Sequence, residues 1–361
     1  LVAAACSSAA ADRPVETASI AASSVGSTST TGQSTTTNPF PGGPAWPFTG
    51  LALPDASAAG HQAVVVKIDN SPEARPHTGI NQADMVYELR VEGITRLAAV
   101  FHSEQPDTVG PVRSARSSDL DLVANLSRPL LAWSGGNGGV VGQVHGARDA
   151  GVLVDAGVDA VSGPYFRDHA RQAPHNLYVH PSQLLAERGD AVAPPAPPFT
   201  FNVFGLPLPA SASDAPGARI DFGLGVRVEY VWDVERGGWD RFQVDGRNPR
   251  GSSAFVDAAG TQVSPQNVVI LFCQYGRSVV DANSPQAYTV GDGDAIVLTQ
   301  GKAIAAHWSR GASDQPYSLT DASGGPVMLT PGRTWVALPQ VGAPVQMLDA
   351  GEAQSLLGER R

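Results

Sequence analysis

The sequence predicts an α+β protein: an N-terminal mixed α/β domain with a β-sheet and packed helices, then a smaller, mostly-β domain built as a sandwich or small barrel. Three observations carry this. At 361 residues the chain is long enough for two domains that each bury a core. Up to the proline-rich run Ala193-Pro-Pro-Ala-Pro-Pro198, short apolar strands alternate with loops and helical stretches; beyond it come strands parted by Gly/Asp turns. Hydrophobic residues make up 42% and charged residues only 16%, a globular profile. A net charge of −10 argues against a nucleic-acid partner, which would need clustered Lys and Arg. No apolar run approaches the length that spans a bilayer.

The first six residues, Leu1-Val-Ala-Ala-Ala-Cys6, resemble the end of a bacterial lipoprotein signal peptide, with Cys6 as the lipidated residue. Residues 7–45 are rich in Ser and Thr and poor in large apolar residues, so burial cannot offset their ordering entropy. They read as a disordered tether. The expected location is the extracytoplasmic face of the cell membrane, held by a lipid anchor. A single acyl chain binds only marginally, whereas a lipoprotein cysteine carries a diacylglycerol.

The N-terminal domain is expected over residues 46–198. Residues 61–69 read as a first strand ending at Lys67-Ile-Asp69. In the second strand Asp84, Val86, Glu88, Arg90 and Glu92 share one face, and Met85, Tyr87, Leu89 and Val91 the other. A third strand runs from Thr95 to His102. Matching apolar to apolar residues selects an odd-numbered loop around Gly93, which sets Arg90 opposite Arg96 and Leu89 opposite Leu97. Arg113 and Arg116 then precede a helix capped near Ser117 or Ser118, with Asp119 in its first turn. Asp119 and Asp121 point to different sides of that helix and form no catalytic pair.

The strand Pro129–Trp133 leads into Ser134-Gly-Gly-Asn-Gly138-Gly and a helix. The glycines miss the spacing of a dinucleotide-binding loop, so a tight turn for close packing is favoured. His169, His175 and His180 crowd one segment that Pro174 breaks, a spacing unlike a helical zinc pair. The second domain is expected over residues 199–345, with a tail at 346–361. Cys273 ends the apolar run Val268–Phe272 and reads as an inert core thiol. Trp239, Trp308 and Trp335 read as packing residues, the alternative being an exposed sugar-stacking row.

Several motifs together resemble the YerB-like family of bacterial surface lipoproteins. They are Lys67-Ile-Asp-Asn-Ser-Pro-Glu-Ala-Arg75-Pro, Ala83-Asp-Met-Val-Tyr-Glu88, Val91-Glu-Gly-Ile-Thr-Arg96, Gly110-Pro-Val-Arg-Ser-Ala-Arg116 and Pro174-His-Asn-Leu-Tyr178. In the second half, Asn267-Val-Val-Ile, Gly291-Asp-Gly-Asp-Ala, His307-Trp-Ser-Arg310 and Pro331-Gly-Arg-Thr-Trp335-Val continue the likeness. The resemblance implies a lipid anchor and two domains, both of unknown function. One departure is Gly246-Arg-Asn-Pro-Arg250, where the family pattern tends to have Gly-x-Pro-His.

Two functions fit these residues. In the first, a membrane-anchored lipoprotein binds an anionic envelope ligand, phosphate- or carboxylate-bearing, through a pocket of Lys67, Arg96, Arg113, Arg116, His175 and Asn176 at a helix N-terminus. Its partners would be the membrane and a cell-wall polymer or envelope protein. The alternative is a metal-assisted transferase or hydrolase acting on envelope glycans or lipid-linked precursors. There Glu88 or Glu92 would be the general base, and Asp69 or Asp84 would hold a divalent cation, the one cofactor the residues suggest. The structural reading is a buried salt-bridge network. No Walker loop, H-E-x-x-H or G-x-S-x-G motif is present.

Overall fold

Strand β1 (Val64–Asp69) is buried along its whole length, as are β2 (Met85–Arg90), apart from its last residue, and β3 (Thr95–Phe101). Strands covered on both faces need layers on both sides, and the chain supplies them. The computed structural model describes residues 43–223, 225–244 and 251–358. Cys6, residues 7–42 of the expected tether and the segment Gly246–Arg250 lie outside the described residues.

The first half continues with α1 (Ser117–Val123), β4 (Leu130–Ala132), α2 (Gly138–Asp149), β5 (Val154–Asp155), the hairpin β6 (Tyr165–Arg167) and β7 (Leu177–Val179), and α3 (Pro181–Arg188). The second half adds β8 (Ser213–Asp214), β9 (Gly217–Gly223), β10 (Val226–Asp233), β11 (Gly238–Val244), β12 (Ser253–Ala254) and β13 (Asn267–Leu271). Then come β14 (Gln274–Ser278), β15 (Asp281–Tyr288), β16 (Gly291–Thr299), β17 (Lys302–Arg310), β18 (Ser318–Thr320), β19 (Thr334–Leu338), β20 (Val345–Leu348) and α4 (Ala350–Gly358). The α+β class is as expected.

One large mixed sheet runs β18-β17-β16-β13-β19-β2-β3-β1-β4-β5, with β8 joined to β17. Strand β19 pairs in parallel with β13 on one side and β2 on the other, so the sheet passes through both halves of the chain. A second sheet, β12-β11-β10-β9-β20, covers one face and forms a sandwich. Its Ile220, Phe222, Val228, Tyr230 and Trp239 share a core with Val64, Val66, Ile68, Leu97, Ala99 and Phe101. On the opposite face Val65, Met85, Tyr87, Leu89, Ala98 and Val100 pack with Leu122, Val123, Val140 and Val144 of α1 and α2. The segment expected as a tail is ordered through residue 358: β20 pairs with β9, and α4 sets Ala353 and Leu356 against Val231 and Phe242.

The β2–β3 register differs from the expectation. Leu89 pairs with Arg96 and Arg90 with Thr95, closed by the two-residue turn Glu92–Gly93 in which Gly93 takes φ 73°. Apolar matching failed because neither face meets water, so charged residues lie inside on both sides. Glu88 and Arg96 consequently point to opposite faces of the sheet. Trp239, Trp308 and Trp335 are buried, as packing requires. Burial pushes the Cys273 thiol up to about 12, consistent with an inert core residue.

Candidate functional site

Strands β1, β4 and β5 run parallel, so their carboxyl ends share one edge, the usual place for ligands in open α/β sheets. The segment 111–115 lies across that edge. Its Arg113 N–H donates to the Lys67 carbonyl at 2.8 Å, and its own carbonyl accepts from Ser134 N–H at 3.0 Å. This brings most of the expected basic residues together on the helix-side face.

Lys67 and Asp119 form a fully buried ion pair at 2.6 Å. Burial drives the Lys67 ammonium below its ordinary value, and Asp119 opposes that. Asp119 also accepts from the Arg116 backbone N–H at 2.7 Å, the carboxylate half of a capping box. The start of α1 is thereby occupied by the protein's own carboxylate, and Arg116 rather than a serine is its N-cap. That corrects the expected anion site at this helix start, and Lys67 is a structural ion, not a ligand contact. Arg116 donates Nε and Nη2 to the two oxygens of Glu92 at 2.9 and 2.7 Å. Burial opposes ionisation of Glu92, but those bonds and the Ser284 hydroxyl hold it down to about 2. Glu92 is therefore a poor general base at neutral pH.

Asp69 sits 3.0 Å from Arg113 Nε and 2.9 Å from His175 Nδ1. Burial raises its carboxyl, but the Ser71 N–H, Arg96, His175 and Arg113 outweigh it and hold the group below the ordinary range. The Ser71 hydroxyl meets the same Nδ1 at 3.1 Å, so no serine–histidine–aspartate relay exists, which would need the hydroxyl on the other ring nitrogen. Arg96 is 4% exposed. It forms no ion pair among the described residues; its Nη1 makes a 3.4 Å contact with the Ser114 carbonyl, and its Nε lacks a hydrogen-bond partner. Burial, with Arg116 beside it, pushes the guanidinium down to about 10, still charged at neutral pH. Around this point four cations, Lys67, Arg96, Arg113 and Arg116, face three carboxylates, Asp69, Asp119 and Glu92.

Other expected residues are elsewhere. Glu88, expected as a base, is fully buried in the sandwich and accepts from Arg241, Trp335 Nε1 and Thr95 Oγ1. Asn176 accepts from Arg167 and donates to the Asp168 and Arg171 carbonyls, which shapes its loop. Asp69 and Asp84 lie at opposite ends of the strands, about five residues or roughly 17 Å apart along β1, so they cannot share a cation. No group of three His, Cys, Asp or Glu side chains among the described residues could hold a metal ion. His175 and His180 diverge: the latter stacks on Phe166.

Asp84 instead holds a loop, accepting from the His102 and Ser103 N–H groups and the Ser103 hydroxyl. Burial pushes its carboxyl up to about 6 against those donors. The folded value exceeds the unfolded one, so its stabilising contribution is complete below about pH 4 and falls by roughly 3 kcal/mol as pH rises to about 6. Buried His77 and His102, pushed down to about 3 and about 4, act the other way and lose stability as pH falls below about 6.5. Asp84→Asn should therefore gain on the parent between pH 4 and 6, a difference readable in urea midpoints across that window.

Residues 48–192 match the family model described as "Protein of unknown function (DUF3048) N-terminal domain", and residues 218–336 match the DUF3048 C-terminal domain. The chain belongs to the DUF3048 family. Over 304 residues it is 27% identical to the Bacillus subtilis (strain 168) protein named "Putative lipoprotein YerB", covering 80% of this chain and 84% of that protein. The crystal structure of YerB protein from Bacillus subtilis matches with a TM-score of 0.69 at 23% identity, over 84% of this chain and 99% of that one. The YerB-like resemblance in the motifs thus holds, and the DUF3048 fold extends across both halves. Among the described residues no helix is long and apolar enough to cross a membrane.

Proposed function

We propose that this DUF3048 chain is a lipid-anchored envelope protein that binds a phosphate- or carboxylate-bearing ligand at Arg96, Arg113 and His175. The anchor is supported by the cysteine context at Cys6 and by the lipoprotein name of the B. subtilis relative. The binding reading rests on Arg96: Asp69 and Glu92 act on this buried guanidinium without reaching ion-pair distance, and its burial is costly unless an anion completes it. Arg113, its side chain 30% exposed, and His175, 20% exposed, would form the accessible side of such a site.

The test is calorimetric titration of the chain with inorganic phosphate, pyrophosphate and glucuronate at low salt, in parent and Arg96→Met forms. The expected result is binding that weakens with salt and falls more than about tenfold in the variant. Absence of binding up to about 10 mM, or equal affinity in both forms, sinks the reading. Methionine keeps the volume and removes the unpaired charge, so the variant should fold.

A catalytic reading has one observation in its favour. Asp69 on Nδ1 leaves the His175 Nε2 without a hydrogen-bond partner among the described residues, the disposition in which an imidazole can act as a base. It would act without Glu88 or Glu92.

A further inference from the structure

A second site lies farther along the same strand edge, between α2 and the ends of β4 and β5. A cavity of about 250 Å³ opens there. Trp133, Val141 and Val158 form its apolar walls, and His145, Asp155 and Asp159 its polar points. Gly157 is required beneath it, since a Cβ would come within 2.5 Å of the Trp133 indole nitrogen.

Asp155 is the informative group. Its side chain is only 4% exposed. One oxygen accepts from Trp133 Nε1 at 2.8 Å and from the Gly157 N–H at 3.0 Å, which fixes the carboxylate. The other oxygen stands 3.6 Å from His145 Nε2, within ion-pair range but beyond hydrogen-bond reach, so it keeps accepting capacity toward the cavity. Arg148 at the rim is already paired with Asp149 at 2.9 Å. Asp155 and Asp159 disfavour an anion, and a lining with only these two carboxylates beside the paired Arg148 is a poor cage for a simple cation.

We propose that this cavity binds a neutral, hydroxyl-rich ring, a hexose-class sugar, with Asp155 accepting from a ring hydroxyl and His145 engaging the same or the adjacent one. The volume is below that of drug-sized pockets and suits one ring. The apolar walls would meet its C–H faces. A free sugar and one unit of a glycan chain present the same hydroxyls.

Saturation-transfer NMR on the full chain tests this with methyl glucoside, N-acetylglucosamine, glucosamine, glucuronate and a soluble oligosaccharide of glucose. A neutral sugar should give ring-proton saturation. The signal should drop more than about tenfold in Asp155→Asn, which keeps the acceptor for Trp133 but turns the second oxygen into a donor. It should also weaken in His145→Ala, a half-exposed position whose loss leaves the core intact. Saturation by the oligosaccharide alone supports a glycan source, and by the monosaccharides as well a single-ring source. No saturation at about 20 mM, saturation only by the charged sugars, or equal signals in parent and both variants overturns the proposal. Arg96→Met should leave sugar binding unchanged, so failure of the anion site and failure of this one are read separately.

Discussion

Replacing Arg241 with methionine is expected to cost about 3–5 kcal/mol of stability, because it leaves Glu88 charged and buried without its cation. Both side chains are fully buried, and Arg241 Nη2 lies 2.9 and 3.1 Å from the two Glu88 oxygens. The guanidinium is also packed 3.9 Å from the Phe255 ring centroid and 4.8 Å from that of Trp335, contacts a methionine reproduces only in part. The double variant Glu88→Gln/Arg241→Met should recover much of the loss, since no uncompensated charge remains. Urea unfolding followed by tryptophan fluorescence measures both. A loss below about 1 kcal/mol for Arg241→Met would mean that water reaches the pair.

Lys67→Met should have an effect of the same order, about 3–5 kcal/mol. It strands Asp119, which is fully buried and whose remaining donor is the Arg116 N–H. The start of α1 rests on that carboxylate, so the change should loosen the helix as well as destabilise the chain. Hydrogen exchange of the α1 amides would report the local part, and urea midpoints the global part. Anion affinity should change far less than in Arg96→Met. A Lys67→Met protein of parental stability that had lost phosphate binding would restore Lys67 as a ligand contact.

Much of the fold was legible in short-range pattern. The strands ending at Asp69, Arg90 and Phe101, the helix after Arg116 and the glycine turn before α2 all carry local signals: apolar runs, caps and turn residues. The specific motifs around them were enough to bring the YerB-like family into view. What the sequence could not disclose is which layers cover a strand. Glu88 looked like a base because alternation put it on a polar face, but β11 and β19, more than 150 residues away in sequence, bring Arg241 and Trp335 over it. The same ignorance of burial misplaced the β2–β3 register. Asp119 reads locally as half of a failed carboxylate pair, whereas its partner is Lys67 on β1, the strand beneath α1. Asp155 and His145 left no trace in spacing, since a strand end and a helix face meet there only through the β4–α2–β5 crossover.

The insertion of β19 between β13 and β2 has a consequence for dissecting the family. Its five residues satisfy the backbone of β2 from Met85 to Leu89. A chain cut at the proline-rich run after Ala193 would present that strand as a mostly apolar, unpaired border in the middle of what had been a continuous sheet. Such a border is a template for stray chains. The first DUF3048 segment taken alone should therefore self-associate, and the pair is better regarded as one inseparable folding unit assembled from two sequence blocks.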